Sequence, residues 1–197
     1  MERRSTRREL MVGAVAAAGV GAALAPDASL ADTPAPSDAQ LLTDSLAVER
    51  VMVLAYRRVL ASGLLTPDVQ RAIAPHLDHE IAHVAELAAQ LTALGVPAPT
   101  GPVDLQTAAA TMAKHHVPAS LTDLHTATDC LKLLVDLESA AEGVHFTALK
   151  DLRRAGLMRL SAQIMACEAQ HWTVLSGLRN PGQWVKAVPW PFVYGTK

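Results

Sequence analysis

The sequence has 197 residues, half of them hydrophobic and 18% charged, which fits one compact domain with a short appendage and excludes a disordered tail protein. Seventeen Lys and Arg against nineteen Asp and Glu leave a net charge of −2 without the basic face that nucleic acid binding needs, so no nucleic acid partner is expected. Two cysteines are too few for a disulfide scaffold or a Cys-rich zinc module, so any metal site must draw on His and carboxylates.

Residues 1–31 read as an export signal. Arg3, Arg4, Arg7 and Arg8 precede an uncharged run from Met11 to Ala25, too short to span a membrane, and Ser29-Leu30-Ala31 offers the small residues of a cleavage site before Asp32. An uncleaved helical anchor is the alternative. Ser5-Thr6-Arg7-Arg8-Glu9-Leu10-Met11 resembles the twin-arginine signal of bacteria, with Leu10 where that pattern often has Phe. The resemblance implies export to the periplasm, cell envelope or medium as a folded chain, with no stable membrane span after cleavage.

Residues 32–36 are a polar, Pro-containing linker, and Ser37 with Gln40 then forms a capping box that opens a helix. Leu42, Leu46, Glu49, Met52, Val53, Tyr56 and Leu60 repeat at three and four along it to about Ser62. Thr66-Pro67-Asp68 starts a second helix, whose stripe of Ile73, Leu77, Glu80, His83, Val84, Leu87, Leu91 and Leu94 stops at Gly95, with a kink expected at Pro75. From Val96 to Ala119 four prolines surround a short Ala-rich piece, Leu105 to His115, that fits a minor helix within a long crossover. Ser120 with Asp123 is expected to reopen a helix carrying Leu131, Leu134, Val135, Glu138, Ala141, Glu142, His145 and Leu149 to about Arg153. After a turn at Arg154 to Gly156, a last helix carries Leu157, Leu160, Ile164, Cys167, Glu168, His171, Trp172, Leu175 and Leu178 to Asn180-Pro181-Gly182.

These elements make an all-α chain: an antiparallel four-helix bundle over residues 37–180, built as two helical hairpins joined by one long crossover. The tail, 181–197, holds Trp184, Trp190, Phe192 and Tyr194, four of seven aromatics, and is expected to lie extended across the bundle as a hydrophobic clamp.

Glutamate placement points to chemistry. The mature chain has six Glu, and five of them (49, 80, 138, 142 and 168) fall on the apolar stripes, while only Glu86 faces outward. Buried carboxylates without partners cost several kcal/mol or more each, so they must be offset by cations, protons or metal, and no Lys or Arg lies on the stripes at those levels. Glu80 with His83, and Glu168 with His171, each put a His one turn after a Glu on the same face. The pattern repeats: Glu49 to Glu80 spans 31 residues and Glu138 to Glu168 spans 30, while Tyr56 and His145 each follow a lone Glu by seven. Folding the hairpins together about a pseudo-twofold axis brings four Glu and two His into one cage.

With these residues the chain resembles the ferritin-like di-iron carboxylate proteins, the family of ferritins, bacterioferritins and rubrerythrins, over roughly Ser37 to Leu178. The resemblance implies two metal ions, iron or manganese, with Glu49 and His83 serving one, Glu138 and His171 the other, and Glu80 and Glu168 bridging. Glu142 is extra under this pattern: either a seventh, mobile ligand, like the additional carboxylate of some rubrerythrins, or a hydrogen-bond partner of a ligand. A frame in which Glu142 and His145 replace Glu138 conflicts with the repeat. Tyr56 is either a redox-active neighbour or a packed aromatic. No Cys-x-x-Cys pair exists, so the rubredoxin module of full rubrerythrins is absent, and the nearer resemblance is to exported bacterial ferritin-like domain proteins. The implied chemistry is that of an oxidase, a peroxidase or a metal handler, with oxygen or peroxide as partner, and the exposed faces leave room for a homodimer.

Two rival readings compete with this one. His79-Glu80-Ile81-Ala82-His83 fits H-E-x-x-H, the helix of zinc hydrolases in which both His bind zinc, although His79 points about 100° away from Glu80. A metal-free helical binding protein would instead tie the interior Glu and His into a satisfied polar network. His115, His116 and His125 are expected in solvent, His76 is a candidate partner of a ligand, and Cys130 and Cys167 lie too far apart along the bundle to bridge.

Overall fold

The computed structural model describes residues 36–188. The expectations for the export signal, most of the linker, Trp190, Phe192 and Tyr194 fall outside them. The described chain runs α1 (Asp38–Ala61), α2 (Pro67–Ala93), α3 (Leu105–Lys114), α4 (Ala127–Asp151), α5 (Ala155–Arg179) and α6 (Trp184–Ala187). Among the described residues no helix is long and apolar enough to cross a membrane.

Local chemistry sets the helix starts. Ser37 Oγ accepts from the amide of Gln40 at 3.2 Å while Gln40 Oε1 accepts from the amide of Ser37 at 2.7 Å, so α1 opens on the expected reciprocal cap. Thr66 caps α2 with Pro67 at its first position, and Asp104 caps α3. The start of α4 differs from the sequence reading: Thr126 and Asp129, not Ser120 and Asp123, form the capping box. Ser120 Oγ accepts instead from the amide of Thr122, a local turn that competes with helix initiation. α5 begins at Ala155, one residue inside the expected turn, and has no side-chain cap; its approach is pinned by Asp38, which accepts from the amide of Arg153 at 2.9 Å. Pro75 does not break α2, because Pro75 and Arg71, whose carbonyl loses its helical partner there, both lie at exposed positions.

α1 packs on α2 and α4 on α5, and the two hairpins join most closely along α1 and α4. α2 and α5 form the thinnest of these seams, and α3 rests on α1 within the crossover. The core is split in two. One apolar cluster contains Val51, Met52, Val59, Ile73, Leu134 and Leu175; the other contains Leu42, Leu46, Leu87, Leu91, Ile164 and Leu157. The acids and histidines of the stripes occupy the level between them. The described start of the tail differs from expectation at one aromatic: Trp184 to Ala187 form a single helical turn, Ala187 is buried, and Trp184 is 80% exposed rather than clamped on the bundle.

Candidate metal centre

Glu49 on α1, Glu80 on α2, Glu138 on α4 and Glu168 on α5 are all fully buried, each delivered to the same level by a different helix. His83 and His171, one turn beyond Glu80 and Glu168, point their Nδ1 atoms among them. His83 Nδ1 lies 2.9 Å from Glu168, 3.4 Å from Glu49 and 3.5 Å from Glu80. His171 Nδ1 lies 3.0 Å from Glu80 and 3.4 Å from both Glu138 and Glu168. Two groups result, each with its ligand atoms within 4.8 Å of one another: Glu49, Glu80, His83 and Glu168, and Glu80, Glu138, Glu168 and His171. They share Glu80 and Glu168.

These atoms are close but do not satisfy one another. Both oxygens of Glu80 and of Glu168, Oε2 of Glu49, Oε2 of Glu138, and Nδ1 of His83 and of His171 are buried without a hydrogen-bond partner. The remaining oxygens of the two lone acids are held from the opposite hairpin. Tyr56 on α1 donates its hydroxyl proton to Oε1 of Glu138 on α4, and His145 on α4 sits 2.8 Å from Oε1 of Glu49 on α1. Tyr56 is backed by His76 Nδ1 at 3.2 Å, and His145 by Ser161 Oγ at 3.0 Å. The two supports are equivalent positions of the internal repeat carrying different chemistry.

Protein charges alone leave the cage strained. Burial pushes the Glu80 carboxyl up to about 8, with the charges of Glu168 and Glu49 adding to it, and burial together with Glu168 raises Glu138 well above the usual range. Glu49 and Glu168 move the other way: burial opposes their charge, but histidine contacts outweigh it, His145 and His83 for Glu49, His171 and His83, with Glu138, for Glu168. His83 and His171 are pulled far up, against burial, by Cys167 and the surrounding carboxylates. A site that keeps two acids protonated and two imidazoles charged is one in which protons stand where divalent cations fit.

All six residues singled out from the spacing therefore meet at one level. Glu142 is half-buried and belongs to neither group; burial and Glu168 raise its carboxyl. Tyr56 and His145 are hydrogen-bond partners of Glu138 and Glu49, and His145 belongs to neither group. The zinc-hydrolase reading loses its basis, since no group joins His79 to His83: His79 is exposed and meets Cys167 and His171 instead. His76 is buried, stacked on His171 at 4.1 Å, and pushed down to about 4 by burial and by His171. His115 is half-buried rather than solvated, and Cys130 and Cys167 are both free thiols. Ser161 and the His79–Cys167 pair were not anticipated.

The arrangement agrees with what the chain is similar to. The family profile for a ferritin-like domain matches residues 37–181. No curated protein matches. The fold is similar to the crystal structure of a conserved hypothetical protein from Mycobacterium tuberculosis, with a TM-score of 0.62 and 21% identity, covering 81% of this chain and 96% of that one. At that identity the likeness is one of fold. Matched along most of its length and built as two hairpins around a layer of buried acids, the chain belongs to the ferritin-like domain family.

Proposed function

We propose that this protein holds a dinuclear centre of iron or manganese between Glu49, Glu80, His83, Glu138, Glu168 and His171, and uses it for redox chemistry or metal handling outside the cytoplasm. The observation that carries the reading is the inventory of unpartnered atoms. Glu80 and Glu168 each have two, while Glu49, Glu138, His83 and His171 each have one. Glu80 and Glu168 belong to both groups of ligand atoms, so the six residues together would hold two ions. A satisfied polar network would give each of these atoms a hydrogen-bond partner, whereas here the imidazoles and carboxylates meet only as ion pairs at 2.9–3.5 Å. An oxygen-rich set with one imidazole per ion suits iron and manganese better than copper.

When bound, such a pair of ions supplies a two-electron couple at which dioxygen or peroxide can be reduced. The chain's own residues do the positioning. Tyr56 holds a proton at Oε1 of Glu138, and His145 faces Oε1 of Glu49, so that Oε2 of each acid is left toward the cage. His76, neutral at physiological pH, supports the Tyr56 hydroxyl. Burial and Glu138 raise the Tyr56 hydroxyl well above its ordinary range, so it stays a donor. The apolar clusters on either side keep bulk water from the carboxylates, and ligand atoms within 4.8 Å of each other are spaced to share small ions.

Elemental analysis of the purified protein and of Glu80→Ala and His171→Ala tests the centre. The expected result is two ions per chain, falling to one or fewer in either variant; unchanged metal content in both discards the site. Export is supported by the Arg7-Arg8 signal and is tested by fractionating cells that express the Arg7→Lys, Arg8→Lys chain, which should stay in the cytoplasm.

A further inference from the structure

We propose that His79 and Cys167, closed by Nε2 of His171, form an outer metal site that takes a thiolate-preferring ion such as zinc or cobalt at the mouth between α2 and α5. The pair arises from the repeat itself. His79 precedes Glu80 by one residue and Cys167 precedes Glu168 by one, so the two side chains leave facing helices at the same level. Cys167 Sγ lies 3.8 Å from His79 Nδ1 and 3.4 Å from His171 Nε2, and the two nitrogens are 2.9 Å apart. All three ligand atoms fall within 4.8 Å of one another. Zinc bonds of about 2.3 Å to sulfur and 2.0–2.1 Å to nitrogen place tetrahedral ligand atoms roughly 3.3–3.6 Å apart. The sulfur separations are close to this, and the two nitrogens need to part by about half an ångström, which an exposed side chain such as His79 allows.

Three features separate this site from the cage beneath it. Its donors are one sulfur and two imidazoles, a soft set where the cage is a hard one. His79 is exposed and Cys167 half-exposed, so ions arrive from solvent, and a fourth position stays open to water. The His171 ring is the wall between the two sites, with Nδ1 among the carboxylates and Nε2 toward His79 and Cys167. A neutral imidazole has one lone-pair nitrogen. When Nδ1 serves the cage, Nε2 carries the proton and donates it to His79 or Cys167; when Nε2 serves the outer ion, the cage loses that ligand. Occupation of the two sites is therefore antagonistic. That antagonism rests on the dinuclear reading, whereas the outer site does not.

Cobalt titration of the metal-free full chain tests this, read by the near-ultraviolet charge-transfer absorption of a cobalt–thiolate bond. The expected result is a band of one thiolate per chain, lost in Cys167→Ser, kept in Cys130→Ser and needing at least tenfold more cobalt in His79→Ala. Absence of the band in the native chain, its survival in Cys167→Ser, or an unchanged titration in His79→Ala overturns the outer site; circular dichroism shows that each variant is folded. Preloading with manganese is expected to raise the cobalt requirement tenfold or more, and indifference to manganese overturns the shared His171. Failure of the dinuclear reading is seen separately, as manganese content unchanged in Glu80→Ala.

Discussion

The two seams between the hairpins make different environments from the same repeat. Along α1 and α4 the helices pack closely, Glu49 and Glu138 are fully buried, and each has one oxygen held by a side chain from the other hairpin. Along α2 and α5 the helices touch at fewer places, His83 and His171 keep 13% and 3% of their side-chain surface, and His79 and Cys167 reach solvent. Glu80 and Glu168 on that side have neither oxygen held. The closed seam fixes its acids; the open seam leaves its acids and histidines to be fixed by what binds.

The largest test of that contrast is on the open side. Glu168→Ala removes a residue common to both groups and should empty the cage, from two ions per chain to near none by elemental analysis, whereas Glu142→Ala, outside both groups, should retain them. Equal loss in the two variants would erase the distinction between shared and neighbouring acids.

On the closed side the expected effect is on stability. Tyr56→Phe leaves the buried Oε1 of Glu138 without its donor, and His145→Ala does the same for Glu49, each at a cost of about 1–3 kcal/mol in denaturant unfolding. His79→Ala, at an exposed position on the open side, should change the unfolding free energy by less than about 0.5 kcal/mol. A His79 variant as unstable as the Tyr56 variant would mean that both seams are load-carrying.

A smaller, pH-dependent difference follows from the protons the cage holds. In metal-free protein Glu80, with its carboxyl near 8, keeps a proton that the unfolded chain loses around 4.5, so its contribution to stability falls as pH rises between those values. His83 and His171, raised above 6.5, lose stability in the same direction once pH passes 6.5. His76, pushed down to about 4, opposes this only below 6.5, and Cys167, drawn down to about 7 by His171 and His83, only above 7. The melting temperature of metal-free protein should therefore drop from pH 6.5 to 8. A flat or rising profile would show that the carboxylates are not the proton store.

The six cage residues were legible because a helix puts residues three apart on one face, and because acids on an apolar stripe need a reason to be there. The repeat at seven residues pointed to Tyr56 and His145 but not to their targets. Each reaches across to the other hairpin, and helix spacing carries no information about which helices face one another. The meeting of His79 and Cys167 was hidden for the same reason: on its own helix each lies about 100° from the cage direction, and only the approach of α2 to α5 turns two outward-leaning positions toward each other. The false start of α4 was a competition between two boxes of the same form, Ser120 with Asp123 and Thr126 with Asp129, decided by the Ser120–Thr122 turn. At Trp184 aromatic character does not mean burial, since that ring is mostly in solvent.

A phenol supports one lone acid and an imidazole the other, so the halves of this duplicated structure are not interchangeable. The Tyr56 hydroxyl, pushed well above its ordinary range, stays uncharged across the physiological range and donates to Glu138, whereas a ring nitrogen of His145 faces Glu49 and the other is backed by Ser161. Any ions held there would meet unlike surroundings, a donated hydroxyl proton beside Glu138 and a ring nitrogen beside Glu49.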